Sequence, residues 1–246
     1  MTIANNNRWF SLEKPGATTR VFCFPFSGGT GATYRDWKAK APAHLEVVPV
    51  NLPGREKRFS EQPFHDLDCL IDELLKVLTP HLDKPYAFYG HSMGALIIFE
   101  LTRQIRVRGL PLPVYLFPAG YRSPEKPNPK RDIHNLADEA FVEELRGYDG
   151  TPESFFDHEA LVQMMLPMLK ADFAVHETYR CYQAAPLPVP IMAFFGRQDT
   201  IAKESEMAGW AAHTSAEFDL YGLPGEHFFV NACRPLLMRK IVAALG

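Results

Sequence analysis

The chain has 246 residues, 46% hydrophobic and 22% charged, which is enough to bury a full core and excludes a disordered polar chain. Its 26 lysines and arginines face 29 aspartates and glutamates, and a net charge of −3 gives no basic footprint for nucleic acid. No uninterrupted apolar run reaches the roughly 20 residues needed to cross a bilayer, and the polar stretch from Met1 reads as no signal peptide.

Cys23, Cys69, Cys181 and Cys233 are scattered without paired spacing, so neither a disulfide framework nor a zinc site is expected. Cys23 and Cys233 sit in apolar runs and read as core filler. A reduced, cytoplasmic protein is expected.

In chain order, short apolar runs predict strands: RVFCFPF from Arg20, LEVVPVNL from Leu45, PYAFYG from Pro85, VYLFPAG from Val114, PIMAFFG from Pro190 and EFDLYGL from Glu217. Several are apolar at nearly every position, as strands buried on both faces of a parallel sheet are. Helical patterns lie between them. Leu67, Leu70, Ile71, Leu74, Leu75 and Leu78 recur at steps of three and four along one face. A second helix follows from Met93 and ends at Gly109, and ACRPLLMRKIVAAL predicts the last. The alternation predicts an α/β fold, a mostly parallel, doubly wound sheet.

Residues 122–185 break the alternation. They open with a proline-rich polar loop from Arg122 and continue as helices, with Asn135 as an N-cap and Pro167 expected to break the helix that carries it. We read one domain, 1–246, with a helical lid inserted at about 122–185. Phe155, Phe156, Met164, Met165, Met168 and Phe173 in this stretch suit core or pocket lining, and core is the expectation for most.

Gly90-His91-Ser92-Met93-Gly94 has the form G-x-S-x-G between a predicted strand and a predicted helix. That is the context of a nucleophile elbow, which stands its serine at the C-terminal edge of the sheet. A serine hydroxyl needs a base within hydrogen-bond reach, and in such folds the chain order is Ser, acid, His. Downstream histidines are His134, His158, His176, His213 and His227; the loop LPGEHFF between the last strand and last helix makes His227 the base. Asp199, in the loop after a late strand, is the expected acid, with Asp172 and Glu226 as rivals.

An oxyanion hole requires two amides. Met93, after the nucleophile, supplies one, and Phe26 or Ser27 in FCFPFSGGTG the other. A dinucleotide loop at the same glycines fails, because Tyr34 stands where a glycine is needed and no acidic residue lies near Asn51. No metal or cofactor is expected.

VFCFPFSGGTGATYRDW, VNLPGREKRF, PYAFYGHSMGALIIFEL, LPMLKADFAVHETY, FFGRQDTIA and LPGEHFFV together resemble the stand-alone type II thioesterases of non-ribosomal peptide and polyketide synthesis, over nearly the whole chain. The resemblance implies an α/β-hydrolase with a helical lid. It implies hydrolysis of acyl thioesters on the phosphopantetheine of acyl or peptidyl carrier proteins, clearing stalled or misloaded groups. Carried over by position, Ser92 is the nucleophile, Asp199 the acid and His227 the base, with Met93 and Phe26 in the oxyanion hole. Two departures from the family pattern are Ser27 for the usual alanine and Tyr121 in a glycine's place.

Alternative readings are a general carboxylesterase or acyltransferase, or a non-catalytic hydrolase-fold module. A monomer is expected. Arg55, Lys57, Lys126, Lys130 and Arg131 are the basic residues expected to face an acidic carrier.

Overall fold

The computed structural model describes residues 8–128, 132–148 and 153–246. Among them, β1 (Thr19–Phe24), β2 (Leu45–Pro49), β3 (Tyr86–His91), β4 (Tyr115–Ala119), β5 (Ile191–Gly196) and β6 (Phe218–Leu223) form one sheet in the order β2-β1-β3-β4-β5-β6. Every neighbouring pair is parallel. All six strands therefore end on one edge. The helices α1 (Arg35–Lys40), α2 (Leu67–Leu78), α3 (Met93–Val107), α7 (Glu204–Met207), α8 (Phe229–Ala232) and α9 (Arg234–Ala244) connect and flank them.

Residues of period two divide between two cores. On β1, Phe22 and Phe24 join one buried cluster with α2 and α3; Val21 and Cys23 join the other with Trp37 of α1 and Leu237 of α9. On β5, Ile191, Ala193 and Phe195 face the first cluster and Met192 and Phe194 the second. This explains why the strands read as continuous apolar runs. Cys23 and Cys233 are buried in the second cluster, as expected of core filler. The apolar face of α2 is buried from Leu67 to Leu78, and its N-cap Asp66 accepts from the Cys69 amide at 2.9 Å. α3 stops before Gly109, which takes φ +63°.

Between β4 and β5 the chain forms α4 (Asp138–Arg146), α5 (Glu153–Phe156) and α6 (Glu159–Glu177). These have a core of their own, in which Phe141, Leu145, Val162, Leu166, Met168 and Phe173 pack together.

Two expectations here are corrected. Pro167 does not break its helix: α6 runs through it without interruption. A proline removes one amide and crowds the preceding turn. Both halves of α6 face the same apolar cluster, with Val162 and Leu166 before or beside the proline and Met168, Leu169 and Phe173 after it. Shared burial outweighs one lost bond. Asn135 is not the N-cap of α4. It closes a short 3-10 turn, Ile133–Asn135, and Ala137 occupies the cap without a side-chain bond. The segment's Met and aromatic residues are also divided. Phe156, Met168 and Phe173 are buried in its core, Met164 is half exposed, and Phe155, Met165 and Phe173 line a cavity.

Among the described residues no helix is long and apolar enough to cross a membrane, and no group of three or more His, Cys, Asp or Glu is arranged to hold a metal ion.

Candidate active site

The site lies where the parallel strands end. Ser92 joins the end of β3 to the start of α3 with φ 52° and ψ −118°. A positive φ at a non-glycine residue costs about 1–3 kcal/mol and persists only where neighbours dictate it. Here the Ser92 amide donates to the Ala119 carbonyl at 2.7 Å, and the Ala95 amide donates to the Ser92 carbonyl at 2.8 Å. The glycines of the motif answer a different need. A Cβ on Gly90 would come within 2.1 Å of the Gly94 carbonyl oxygen, and one on Gly94 within 2.4 Å of the Phe24 carbonyl oxygen. Strand and helix approach too closely for any side chain at either position.

Three side chains distant in sequence converge at this edge. His227 Nε2 is 3.1 Å from Ser92 Oγ, and His227 Nδ1 is 2.9 Å from Asp199 Oδ2. The carboxylate can only accept, so Nδ1–H donates to it and Nε2 is left to accept from the serine hydroxyl. The other Asp199 oxygen, Oδ1, accepts from the amides of Ile201 at 2.7 Å and Ala202 at 2.9 Å. Both oxygens are therefore used, and the carboxylate is fixed by backbone. Asp199 and His227 are buried.

His91, inside the elbow motif, supports the same loop. Its Nε2–H donates to the His227 carbonyl at 2.9 Å, a bond that fixes the tautomer because a carbonyl cannot donate. Burial, followed by the neighbouring His227, pushes His91 well below the usual imidazole range, so it is neutral. Sequence reasoning missed this role. The residue stood in plain view beside Ser92, but nothing in the pattern says that the variable position of the elbow reaches the histidine loop.

After β1, residues Phe26 to Gly29 form a tight turn closed by Gly29 N–H to Phe26 C=O at 2.8 Å, with Gly28 at φ +75°. That conformation at the third turn position calls for glycine. The Gly28 amide donates to Asp172 Oδ2 at 2.8 Å. The amides of Phe26, Ser27 and Met93 have no acceptor among the described residues, and Met93 opens α3, where the helix dipole adds positive potential. The Ser27 hydroxyl is buried without a hydrogen-bond partner among the described residues.

Ser92 and His227 open on a cavity of about 260 Å³. Phe26, Leu145, Phe155, Met165, Leu169 and Phe173 give it apolar walls, most of them from the helices between β4 and β5. Polar groups also reach it, among them Arg122, Asn128, Tyr148 and His176. Burial, then the Arg122 charge and the neighbouring His134 and His227, lowers His176 to about 3.

The remaining expected residues fall elsewhere. Asp172 lies on α6 and is tied to Arg55, not to a histidine. Glu226 is exposed. His134 contacts Glu177, and His213 contacts Glu125. Arg55 is not available to face a partner: it is buried, contrary to expectation, because Asp172 and two carbonyls satisfy its guanidinium. Lys57 is exposed, and Lys126 donates to the Ser205 carbonyl. Lys130 and Arg131 lie outside the described residues.

Residues 19–245 match the family model described as Thioesterase domain. The chain is 40% identical to linear gramicidin dehydrogenase LgrE of Brevibacillus parabrevis, over 99% of this chain and 95% of that one. It is similar in structure to the RedJ thioesterase of the prodiginine biosynthetic pathway in Streptomyces coelicolor, with a TM-score of 0.88 at 34% identity, covering 94% and 92% of the two chains. A second solved structure is the type II thioesterase BorB from the borrelidin biosynthetic cluster, with a TM-score of 0.85 at 31% identity and 96% of each chain covered.

Proposed function

The chain belongs to the thioesterase domain family, and from that premise we propose that it hydrolyses acyl thioesters carried on the phosphopantetheine arm of carrier proteins, clearing stalled or misloaded groups from a peptide or polyketide synthase. The observation that carries this reading is the unbroken relay from Asp199 through His227 to Ser92, opening on an apolar cavity. The names borne by RedJ and BorB support the pathway class. LgrE is named a dehydrogenase, but this chain has Tyr34 where a dinucleotide-binding loop needs its third glycine.

In this mechanism His227 takes the Ser92 proton as Oγ attacks the thioester carbonyl. Asp199 holds the imidazole with Nε2 facing the serine and stabilises the imidazolium that forms. The amides of Met93 and of Phe26 or Ser27 receive the oxyanion. They are fixed before the reaction, so no reorganisation is needed as charge develops. The imidazolium gives that proton to the departing sulfur as the thiol leaves. His227, neutral again, takes a proton from water as it attacks the acyl-enzyme and returns it to Ser92 Oγ as the acid is released.

Residues 122–185 act as the lid, contributing much of the acyl-binding wall. A carrier protein is the partner, and its arm enters toward Ser92. The test is mass spectrometry of a panel of acyl- and aminoacyl-loaded carrier proteins with and without the purified protein. Loss of the acyl group from the arm at a catalytic rate is the expected result. Rapid cleavage of simple oxygen esters with carrier thioesters untouched would favour a general carboxylesterase instead.

A further inference from the structure

Three sequence stretches meet at one buried point. Arg55 comes from the Pro-Gly-Arg-Glu run after β2, Asp172 from the Pro-x-Leu-x-Ala-Asp-Phe stretch of α6, and Gly28 and Gly29 from the turn after β1. Arg55 Nη2 donates to Asp172 Oδ1 at 2.6 Å and Nη1 to Asp172 Oδ2 at 3.0 Å, a two-point pairing of side chains that are both almost fully buried. The pair does not stop at itself. Arg55 Nη1 also donates to the Gly29 carbonyl at 3.0 Å, and Asp172 Oδ2 accepts from the Gly28 amide at 2.8 Å. One peptide group on each side of the Gly28–Gly29 link is thereby held. Arg55 is anchored in turn by its Nε, which donates to the Pro53 carbonyl at 3.2 Å.

The turn so held is the one whose first two amides, Phe26 and Ser27, have no acceptor among the described residues, and Phe26 and Ser27 line the cavity beside Ser92. α6 contacts the same turn a second time. Leu169, one helical turn before Asp172, stands so close that a Cβ on Gly28 would be 2.7 Å from its Cδ2.

We propose that Arg55 and Asp172 are positioning residues for the reaction: they form a latch that sets the orientation of the Phe26–Gly29 turn, and hence of its oxyanion-binding amide, when α6 is docked. The latch makes hydrolytic competence depend on the placement of the helical segment. A bare stability role would need only the ion pair. Here both partners spend further hydrogen bonds on the peptide groups of the turn. This inference rests on the thioesterase reading above.

A buried ion pair can often be exchanged for apolar residues of similar size without loss of stability, whereas removing one partner strands the other charge. The double variant Arg55→Met/Asp172→Leu therefore separates folding from positioning. Measured on an acyl-carrier thioester that the wild-type protein turns over, kcat should fall about 10- to 100-fold, because a misaimed oxyanion donor loses part of the roughly 10²- to 10³-fold that a deleted one costs. KM should change less than threefold, and the pH midpoint of kcat/KM should be that of the wild type, because the His227–Asp199 pair is untouched. A folded double variant with wild-type kcat would overturn the inference.

If the double variant does not fold, Arg55→Lys decides. Lysine keeps the charge beside Asp172 but cannot reach both carboxylate oxygens and the Gly29 carbonyl together. It should lower kcat about threefold to tenfold at unchanged KM, and an unchanged kcat would again overturn the proposal. A wild-type protein that leaves every carrier thioester intact would instead defeat the parent reading, so the two failures are distinguishable.

Discussion

The relay and the helical segment that walls its cavity are held by different forces. At the relay, hydrogen bonds to backbone do the holding: two amides fix the Asp199 carboxylate, the Ala119 carbonyl fixes the strained Ser92, and the His227 carbonyl accepts from the buried His91 side chain. In the segment, side-chain packing does it, around Phe141 and Phe173, with the Arg55–Asp172 pair as its charged tie to the sheet. Backbone bonds are insensitive to which side chains surround them, so the chemistry is rigid. Apolar packing tolerates substitution of similar volume, so substrate choice can vary while the relay stays.

The sharpest break between the regions comes from the relay itself. Ser92→Ala should lower turnover on the order of 10⁴-fold or more while the thermal midpoint moves little, since the hydroxyl bears no packing. Asp199→Asn should cost about 10³- to 10⁴-fold, because an amide in that place favours the wrong imidazole tautomer. Circular dichroism melts beside single-turnover rates check both.

The converse break is Phe141→Ala, which empties the middle of the segment's core without touching the relay. The expected cost is about 3–5 kcal/mol of stability. Fluorophosphonate labelling of Ser92 should survive, while discrimination among acyl chains is lost. Labelling that disappears with the segment intact would join the two regions more tightly than their packing suggests.

A smaller effect sharpens the division. Met165→Ala widens the cavity wall and should raise the ratio of kcat/KM for longer over shorter acyl chains by about tenfold, the scale of one or two methylenes in an apolar pocket. Competition between two acyl-carrier substrates measures it.

The last effect is on stability against pH. The folded protein holds His176 near 3 while the unfolded chain takes up a proton near 6.5. Between these values the unfolded state binds more protons, so stability is full above about pH 6.5 and is lost as pH falls. Each such histidine contributes up to about 1.4 kcal/mol per pH unit in that window. His91 acts in the same sense. His176→Phe should flatten the loss by one proton, read from urea midpoints between pH 7 and 5.

The same contrast explains what could be read from the sequence. β1 to β5 and the elbow were legible because burial on both faces and a close strand–helix approach leave few residue choices: apolar runs in one case, Gly90 and Gly94 in the other; β6, at the sheet edge, is only partly buried and showed as a weaker apolar pattern. Asp199 and His227 followed from strand-end loops, where parallel topology gathers side chains on one edge. The helical segment was harder. Pro167 carries a local signal that tertiary packing overrode, and Asn135 belongs to a short 3-10 turn that ends two residues before the cap of α4. Arg55 looked like a surface charge because its partner Asp172 lies 117 residues away, and nothing local announces such a pairing. His91 was hidden for the same reason, with its acceptor 136 residues further along.

The most direct test is to mix the protein with an acyl-loaded carrier, quench within one turnover, and locate the acyl mass by peptide mapping. The account predicts the acyl group on the peptide containing Ser92, appearing before free acid and decaying as the acid forms. Free acid released at full rate with Ser92 never acylated would contradict it.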